Sequence, residues 1–365
     1  MNYKLLTPGP LTTTESVKQV MQEDHCTWDE EYKEITQKIR RSLLALAHAD
    51  EQEYTAVLMQ GSGTFGVESV LTGIVGKEDK LLIIANGAYG KRMTEIAEHA
   101  GLNYSVYDEE CDKIPDAEKV GQLLDRDPCL THVAMVHGET TSGILNDIQA
   151  VGAQVKSREK VFIADAMSTF GGVDIPVQDW GIDFLISSAN KCIQGVPGFS
   201  FILARKDRLE ESRGKARSLS LDLYEQWKTM EKDGKWRFTS PTHTVLAFAQ
   251  ALQELEQEGG IPARFKRYRD NNRFLIAQMK AMGIRPYLKE EHQGPVITAF
   301  YYPENANFTF SHMYDYIKER GYAIYPGKVT QADTFRIGNI GEIYLEDMEK
   351  LSGIMKDFLK EIQHA

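Results

Sequence analysis

Between residues 56 and 204 the chain repeats one pattern. A short, almost wholly apolar run is followed by a turn or a helical segment, and then by another apolar run. The runs are Ala56 to Gln60, Leu81 to Asn86, Tyr104 to Tyr107, His132 to His137, Val161 to Asp165, Phe184 to Ser188 and Phe199 to Ala204. Continuous apolarity, rather than alternation, is what a strand buried on both faces of a parallel sheet requires. Helical periodicity fills several intervals, among them Val67 to Ile74, Lys91 to His99 and Ile148 to Ser157. Strands alternating with helices in this way predict an α/β fold with a doubly wound, mostly parallel sheet.

The pattern changes after about residue 206. Charged helical stretches are expected over Lys206 to Gly234 and Pro241 to Met282, with a break at Glu258-Gly259-Gly260-Ile261-Pro262. A smaller α/β unit then follows, with strands at Val296 to Tyr301, near Tyr322 to Tyr325, and at Phe335 to Gly338. A last helix covers Leu345 to Ile362. The expected organisation is an N-terminal segment (1–14) near the site, a large domain (15–255) and a small C-terminal domain (256–365). Two such domains suit 365 residues.

The chain carries 42 Lys and Arg against 53 Asp and Glu, a formal net charge of −11. Without a basic run it is a poor match for nucleic acid, which needs clustered cations against phosphates. No apolar stretch reaches the length of a membrane span, and the first ten residues lack an apolar signal core, so the cytosol is the expected compartment. Cys26, Cys111, Cys129 and Cys192 form no CxxC pair, and the nine histidines form no HxxxH pair. Neither a disulfide framework nor a protein metal site is expected.

Three features carry chemistry. Gln60-Gly61-Ser62-Gly63-Thr64-Phe65-Gly66 follows a strand and opens a helix. Glycines let the backbone approach an anion, and the helix N-terminus offers free N–H groups. The same spacing satisfies G-x-G-x-x-G, so a dinucleotide-binding oxidoreductase is a rival, as is a plain packing turn. That rival needs an acidic residue at the end of the next strand, where Asn86-Gly87 stands instead. Hydroxyls at Ser62 and Thr64 favour a terminal phosphate. Next, two apolar strands end in Asp165 and in Asn190-Lys191, 26 positions apart from aspartate to lysine, as one strand–helix–strand step allows. Both charges then emerge at the carboxyl edge of the sheet, where α/β folds bind ligands. An anion cradle, a carboxylate and an amine together point to pyridoxal phosphate, whose phosphate, ring nitrogen and carbonyl they would serve. Between them, Tyr89 is placed to stack on a ring.

At this point the sequence resembles the class V, fold-type-I pyridoxal-phosphate aminotransferases, along essentially the whole chain. The resemblance rests on Leu5 to Thr13, Cys26-Thr27-Trp28-Asp29, Met59 to Phe65, Asn86 to Arg92, Ser187 to Gly198, Arg217 to Tyr224, Phe238 to His243 and Phe335 to Gly341. The Cys26 to Asp29 and Arg217 to Tyr224 segments resemble the branch that uses 2-aminoethylphosphonate and pyruvate. The resemblance implies a large domain with a seven-stranded, mostly parallel sheet and a small C-terminal domain. It implies amino-group transfer from 2-aminoethylphosphonate to pyruvate, giving phosphonoacetaldehyde and L-alanine, a step in phosphonate breakdown. The alternative is an alanine–glyoxylate or serine–pyruvate type aminotransferase. By the same resemblance Lys191 is the imine-forming lysine and Asp165 pairs with the ring nitrogen. Ser62, Gly63 and Thr64 hold the phosphate, with Asn190 beside it. Tyr89 stacks on the ring, and Thr140 lies near its phenolic oxygen. Thr239 reaches the cofactor of a partner subunit, implying a homodimer with sites at the interface, and Arg336 clamps the substrate's acidic group. His25, His137 and His243 are read as structural.

Overall fold

A computed structural model describes residues 3–329 and 331–364 of the chain. The seven apolar runs are seven strands of one sheet: β1 (Tyr54–Gln60), β2 (Lys80–Ala85), β3 (Tyr104–Asp108), β4 (Leu130–Val136), β5 (Val161–Asp165), β6 (Phe184–Ser188) and β7 (Phe199–Arg205). Their order across the sheet is β1-β7-β6-β5-β4-β2-β3. Strand β7 runs antiparallel to both of its neighbours, and the other pairings are parallel.

Alternate residues of each strand feed two different cores. Leu82, Ile84, Val133, Met135, Phe162 and Ala164 face one layer. Leu81, Ile83, Ala134, Val136, Ile163 and Ile186 face the other. Side chains alternate across a strand, so a strand apolar at every position is stable only with helices on both faces. The helices Gly63–Ile74 (α1) and Ala88–His99 (α2) cover the second face through Val67, Val70, Leu71, Met93 and Ile96. The first face packs on Ile39, Leu43, Val120, Val151 and Phe248 from other helices. Each fully buried side chain of this size contributes roughly 1.5–3 kcal/mol.

The helical stretches expected from Lys206 to Gly234 are two, separated by a break. A short helix ends at Glu210, an irregular segment follows, and helix resumes only at Leu223–Asp233. Gly214 has a φ of +75°, and Asp222 caps the second helix by accepting from the Glu225 N–H. Ser- and Gly-containing sequence between them favours turns over helix. Later, Gly259 and Gly260 do break the helical run, ending one helix at Glu258 and starting α3 (Gly260–Ala281).

The smaller unit is a three-stranded antiparallel sheet of β8 (Ile297–Tyr301), β9 (Tyr325–Pro326) and β10 (Thr334–Gly338), ordered β8-β10-β9. Phe300, Phe335 and Ile337 pack there against Leu275 and Met279 of α3 and Met348, Leu351 and Phe358 of the last helix. Leu6 lies in the same core, because Lys4–Leu5 pairs in parallel with Tyr322–Ala323. That pairing carries the N-terminal segment across the small unit to the carboxyl edge of the large sheet. No helix among the described residues is long and apolar enough to cross a membrane.

Candidate active site

The carboxyl ends of the parallel strands deliver their next residues to one cavity of about 210 Å³. Ser62, Gly63 and Thr64 follow β1, Tyr89 and Arg92 lie on the helix after β2, and Asp165 is the last residue of β5. Asn190 and Lys191 follow β6, and Pro197 and Gly198 precede β7 at the same edge because that strand runs the other way. Seven residues anticipated from the sequence therefore line one space: Ser62, Gly63, Thr64, Tyr89, Asp165, Asn190 and Lys191.

Ser62 is the N-cap of α1, yet its hydroxyl makes no capping bond. A Cβ at Gly63 would overlap the Met167 sulfur, so the closest approach to the cavity floor is open only to glycine. Asp165 is 4% exposed; its Oδ1 accepts the Met167 N–H at 2.9 Å. It forms no ion pair among the described residues, and burial pushes its carboxyl up to about 7. A buried carboxylate of this kind lacks a cation.

The Lys191 ammonium donates to the Pro8 carbonyl at 2.8 Å, and burial holds its pKa below the ordinary lysine range. A Cβ on Gly9 would come within 2.7 Å of Nζ, and Gly9 has a φ of +116°, so the N-terminal segment can press this closely only through glycine. The turn after the lysine is pinned from α3. Arg264 donates to the Cys192 carbonyl at 2.6 Å, and Tyr268 donates to it at 3.2 Å.

Thr140 and Arg336 meet beside the cavity. Arg336 interrupts the apolar strand β10 and is 6% exposed. Its Nη1 donates to the Thr140 carbonyl at 2.8 Å and its Nε to the Pro326 carbonyl at 3.0 Å. Two of five guanidinium donors are thus fixed to backbone, which sets the plane in which the rest are offered. Burial raises the cost of a charged Tyr89 phenol. The hydrogen bond with Thr140 and the charges of Lys328 and Lys191 outweigh it, leaving the phenol below its usual range. Thr239 is exposed and does not line this cavity.

Several contributors had no separate signal in the sequence. Glu139 is fully buried, accepting the N–H groups of Tyr89 and Gly90 at 3.0 and 3.3 Å and both the N–H and hydroxyl of Thr141. Its carboxylate therefore fixes the start of α2, and Tyr89 with it. Arg92 sits one helical turn from Tyr89, 4.9 Å from its ring centroid. Its spacing from Tyr89 was the only available clue. No histidine is among the residues that line the cavity. His137 is buried and held near 3 by desolvation, with Nδ1 2.9 Å from the Thr169 hydroxyl. His25 and His243 lie near Glu23 and Asp24, on exposed partners. Asn86, where a dinucleotide site would need a carboxylate, is spent on Asn146 and the Lys113 carbonyl.

The model of the family described as aminotransferase class-V matches residues 13–335. A 2-aminoethylphosphonate–pyruvate transaminase of Lysinibacillus sphaericus is 57% identical over 358 residues, covering 98% of this chain and 98% of that protein. One from Salmonella paratyphi C is 54% identical over 354 residues, 96% of each chain. Among solved structures, ureidoglycine–glyoxylate aminotransferase of Bacillus subtilis superposes with a TM-score of 0.90 at 25% identity, over 99% of this chain and 94% of that one.

Proposed function

The chain belongs to the class-V aminotransferase family, and from that premise we propose that it moves the amino group of 2-aminoethylphosphonate to pyruvate, giving phosphonoacetaldehyde and L-alanine. The observation that carries the reading is 57% identity over 98% of both chains to a protein named for that reaction. A buried guanidinium beside the cavity, that of Arg336, with donors beyond its two backbone bonds, supports an anionic substrate group.

We assign pyridoxal 5'-phosphate as the cofactor, and the residues present fit it. Ser62, Gly63 and Thr64 suit the phosphate, with Asn190 beside them. Asp165, buried without a cation, suits a protonated ring nitrogen, and Tyr89 suits the ring face. Thr140 suits the ring's phenolic oxygen. When bound, this group supplies a carbonyl for amine exchange and an electron-withdrawing ring. Lys191, its pKa lowered by burial, gives up its proton more readily than an ordinary lysine, as attachment at Nζ requires. Once displaced, the same Nζ would carry the proton from the amine-bearing carbon to the carbon that bore the cofactor's carbonyl, and would carry one the opposite way when pyruvate is the acceptor. Asp165 would hold the proton on the ring nitrogen of the bound group. Arg336 orients each substrate by its acid group, a phosphonate in one half-reaction and a carboxylate in the other.

The discriminating experiment is alanine formation from pyruvate with a panel of amino donors. 2-Aminoethylphosphonate should lead the panel. Preference for serine, or for alanine with glyoxylate as acceptor, would replace this reading with the alanine–glyoxylate or serine–pyruvate type.

Arg336→Lys should slow both half-reactions by about 2–4 kcal/mol in kcat/KM, the scale for losing a desolvated charged contact. An ammonium cannot keep both backbone anchors and also present a two-pronged edge. The resting absorption spectrum should stay normal. Intact pyruvate turnover in this variant would show that a different group holds the carboxylate.

The working unit proposed is a homodimer in which Thr239 reaches the partner's cofactor. Exposure of Thr239 and of its neighbour Phe238 (47%), together with Leu219 (74%), supports a covered face here. Arg237 links them, donating to the Leu219 carbonyl at 2.8 Å. Thr239→Ala should weaken cofactor retention by about 1 kcal/mol, roughly fivefold, and wild-type cofactor loss should rise as dimers dissociate on dilution. A monomer holding its full complement of cofactor would contradict the arrangement.

A further inference from the structure

Tyr89 is approached by a cation that the sequence did not single out. Lys328 places its Nζ 4.3 Å from the centroid of the Tyr89 ring. It lies on the connection between β9 and β10, two residues beyond Pro326. The register of those strands sets Tyr325 opposite Arg336, and Arg336 holds the Pro326 carbonyl. Thus Lys328 and Arg336 arise from one hairpin and converge on the Tyr89–Thr140 side of the cavity. Among the described residues Lys328 has neither an ion-pair nor a hydrogen-bond partner. Of the nearby carboxylates, Glu139 is enclosed and occupied by donors from Tyr89, Gly90 and Thr141, and Asp165 lies on the floor. Beside Arg336, and with Arg92 over the same Tyr89 ring, Lys328 is thus a further cation with no carboxylate partner among the described residues.

The two substrates differ in charge. A carboxylate carries one negative charge, whereas a phosphonate, like a phosphomonoester, carries between one and two near neutral pH and has three acceptor oxygens. One bidentate guanidinium matches the carboxylate and leaves the phosphonate's third oxygen and additional charge unmet. A lysine, as a flexible point charge with three donors, can meet that remainder without demanding a fixed geometry. We propose that Lys328 is a specificity-determining residue that contacts the phosphonate of the amino donor, while Arg336 serves both substrates. The inference rests on the substrate reading given above.

The test uses the cofactor-loaded enzyme and two variants, Lys328→Met and Lys328→Arg. Single-turnover kinetics are measured with 2-aminoethylphosphonate and, on the aminated enzyme, with pyruvate. In Lys328→Met the phosphonate half-reaction should lose roughly ten- to hundredfold in kcat/KM, mainly through KM, the range of one hydrogen bond to a charged group. The pyruvate half-reaction should keep most of its efficiency, and Lys328→Arg should restore much of the phosphonate preference. Inhibition by the unreactive pair ethylphosphonate and propionate gives a readout free of chemistry: only the phosphonate should weaken. Equal losses in both half-reactions, a parallel fall in cofactor affinity, or no change in any quantity would each overturn the assignment. If the wild-type enzyme does not use 2-aminoethylphosphonate at all, the substrate reading fails instead, and ethylphosphonate binding still reports on Lys328.

Discussion

Replacing Lys191 by alanine should leave a folded protein that turns over at a rate lower by roughly 10⁴-fold or more, the upper range for removing a positioned acid–base group. The structural reason is local. Lys191 touches its surroundings mainly through the Pro8 carbonyl, while its turn is anchored independently by Arg264, Tyr268 and Gln194. Truncating the side chain removes the amine and keeps the frame. With the phosphate held by Ser62, Gly63 and Thr64 as proposed, cofactor should still be retained, so binding and turnover should separate. Borohydride treatment of the wild type, followed by peptide mapping, should place the cofactor on Lys191, and the alanine variant should release it on denaturation. Labelling of a different lysine would sink the assignment, and so would a variant with appreciable turnover.

What the sequence revealed follows from what each residue needs. Strands such as Leu81 to Ala85 were legible because both faces are buried, so no polar position interrupts them. Asp165 and Lys191 were legible as charges ending apolar runs. Arg336 was visible as a lone charge in an apolar strand, but its partners Thr140 and Pro326 come from distant segments that only the folded chain brings near. Glu139 and Lys328 were missed for the same reason. One is a carboxylate whose value depends on the N–H groups it meets, and the other is a turn lysine whose neighbour is 239 residues away in sequence. The helical stretches expected after Lys206 are two, and Gly214 with Ser218 and Ser220 lies in the break between them. The proposed role of Thr239 belongs to a second chain and has no partner within one.

Asp165→Asn should cost roughly a hundredfold or more in turnover, at about 1.4 kcal/mol per decade, because an amide cannot hold a proton on the ring nitrogen by charge. A second, independent signature should appear in the protein stripped of cofactor. Burial raises the Asp165 carboxyl from its ordinary value to about 7, so the folded state binds more protons than the unfolded state between roughly pH 4 and pH 7. Stability then falls as pH rises through that window, since the ionised carboxylate is the form that burial penalises. The full shift corresponds to about 4 kcal/mol, at about 1.36 kcal/mol per pH unit. Asparagine does not titrate. The stripped variant should therefore melt higher than the stripped wild type at pH 8, and the two should converge near pH 4. Adding cofactor should reverse the order at pH 8, because a cationic ring nitrogen pairs with aspartate and not with asparagine. The measurement is melting temperature against pH for both proteins, with and without cofactor. Parallel curves for the stripped proteins would mean that Asp165 is not the group bearing the penalty. A reversal absent on loading would mean that its charge is not what receives the cofactor.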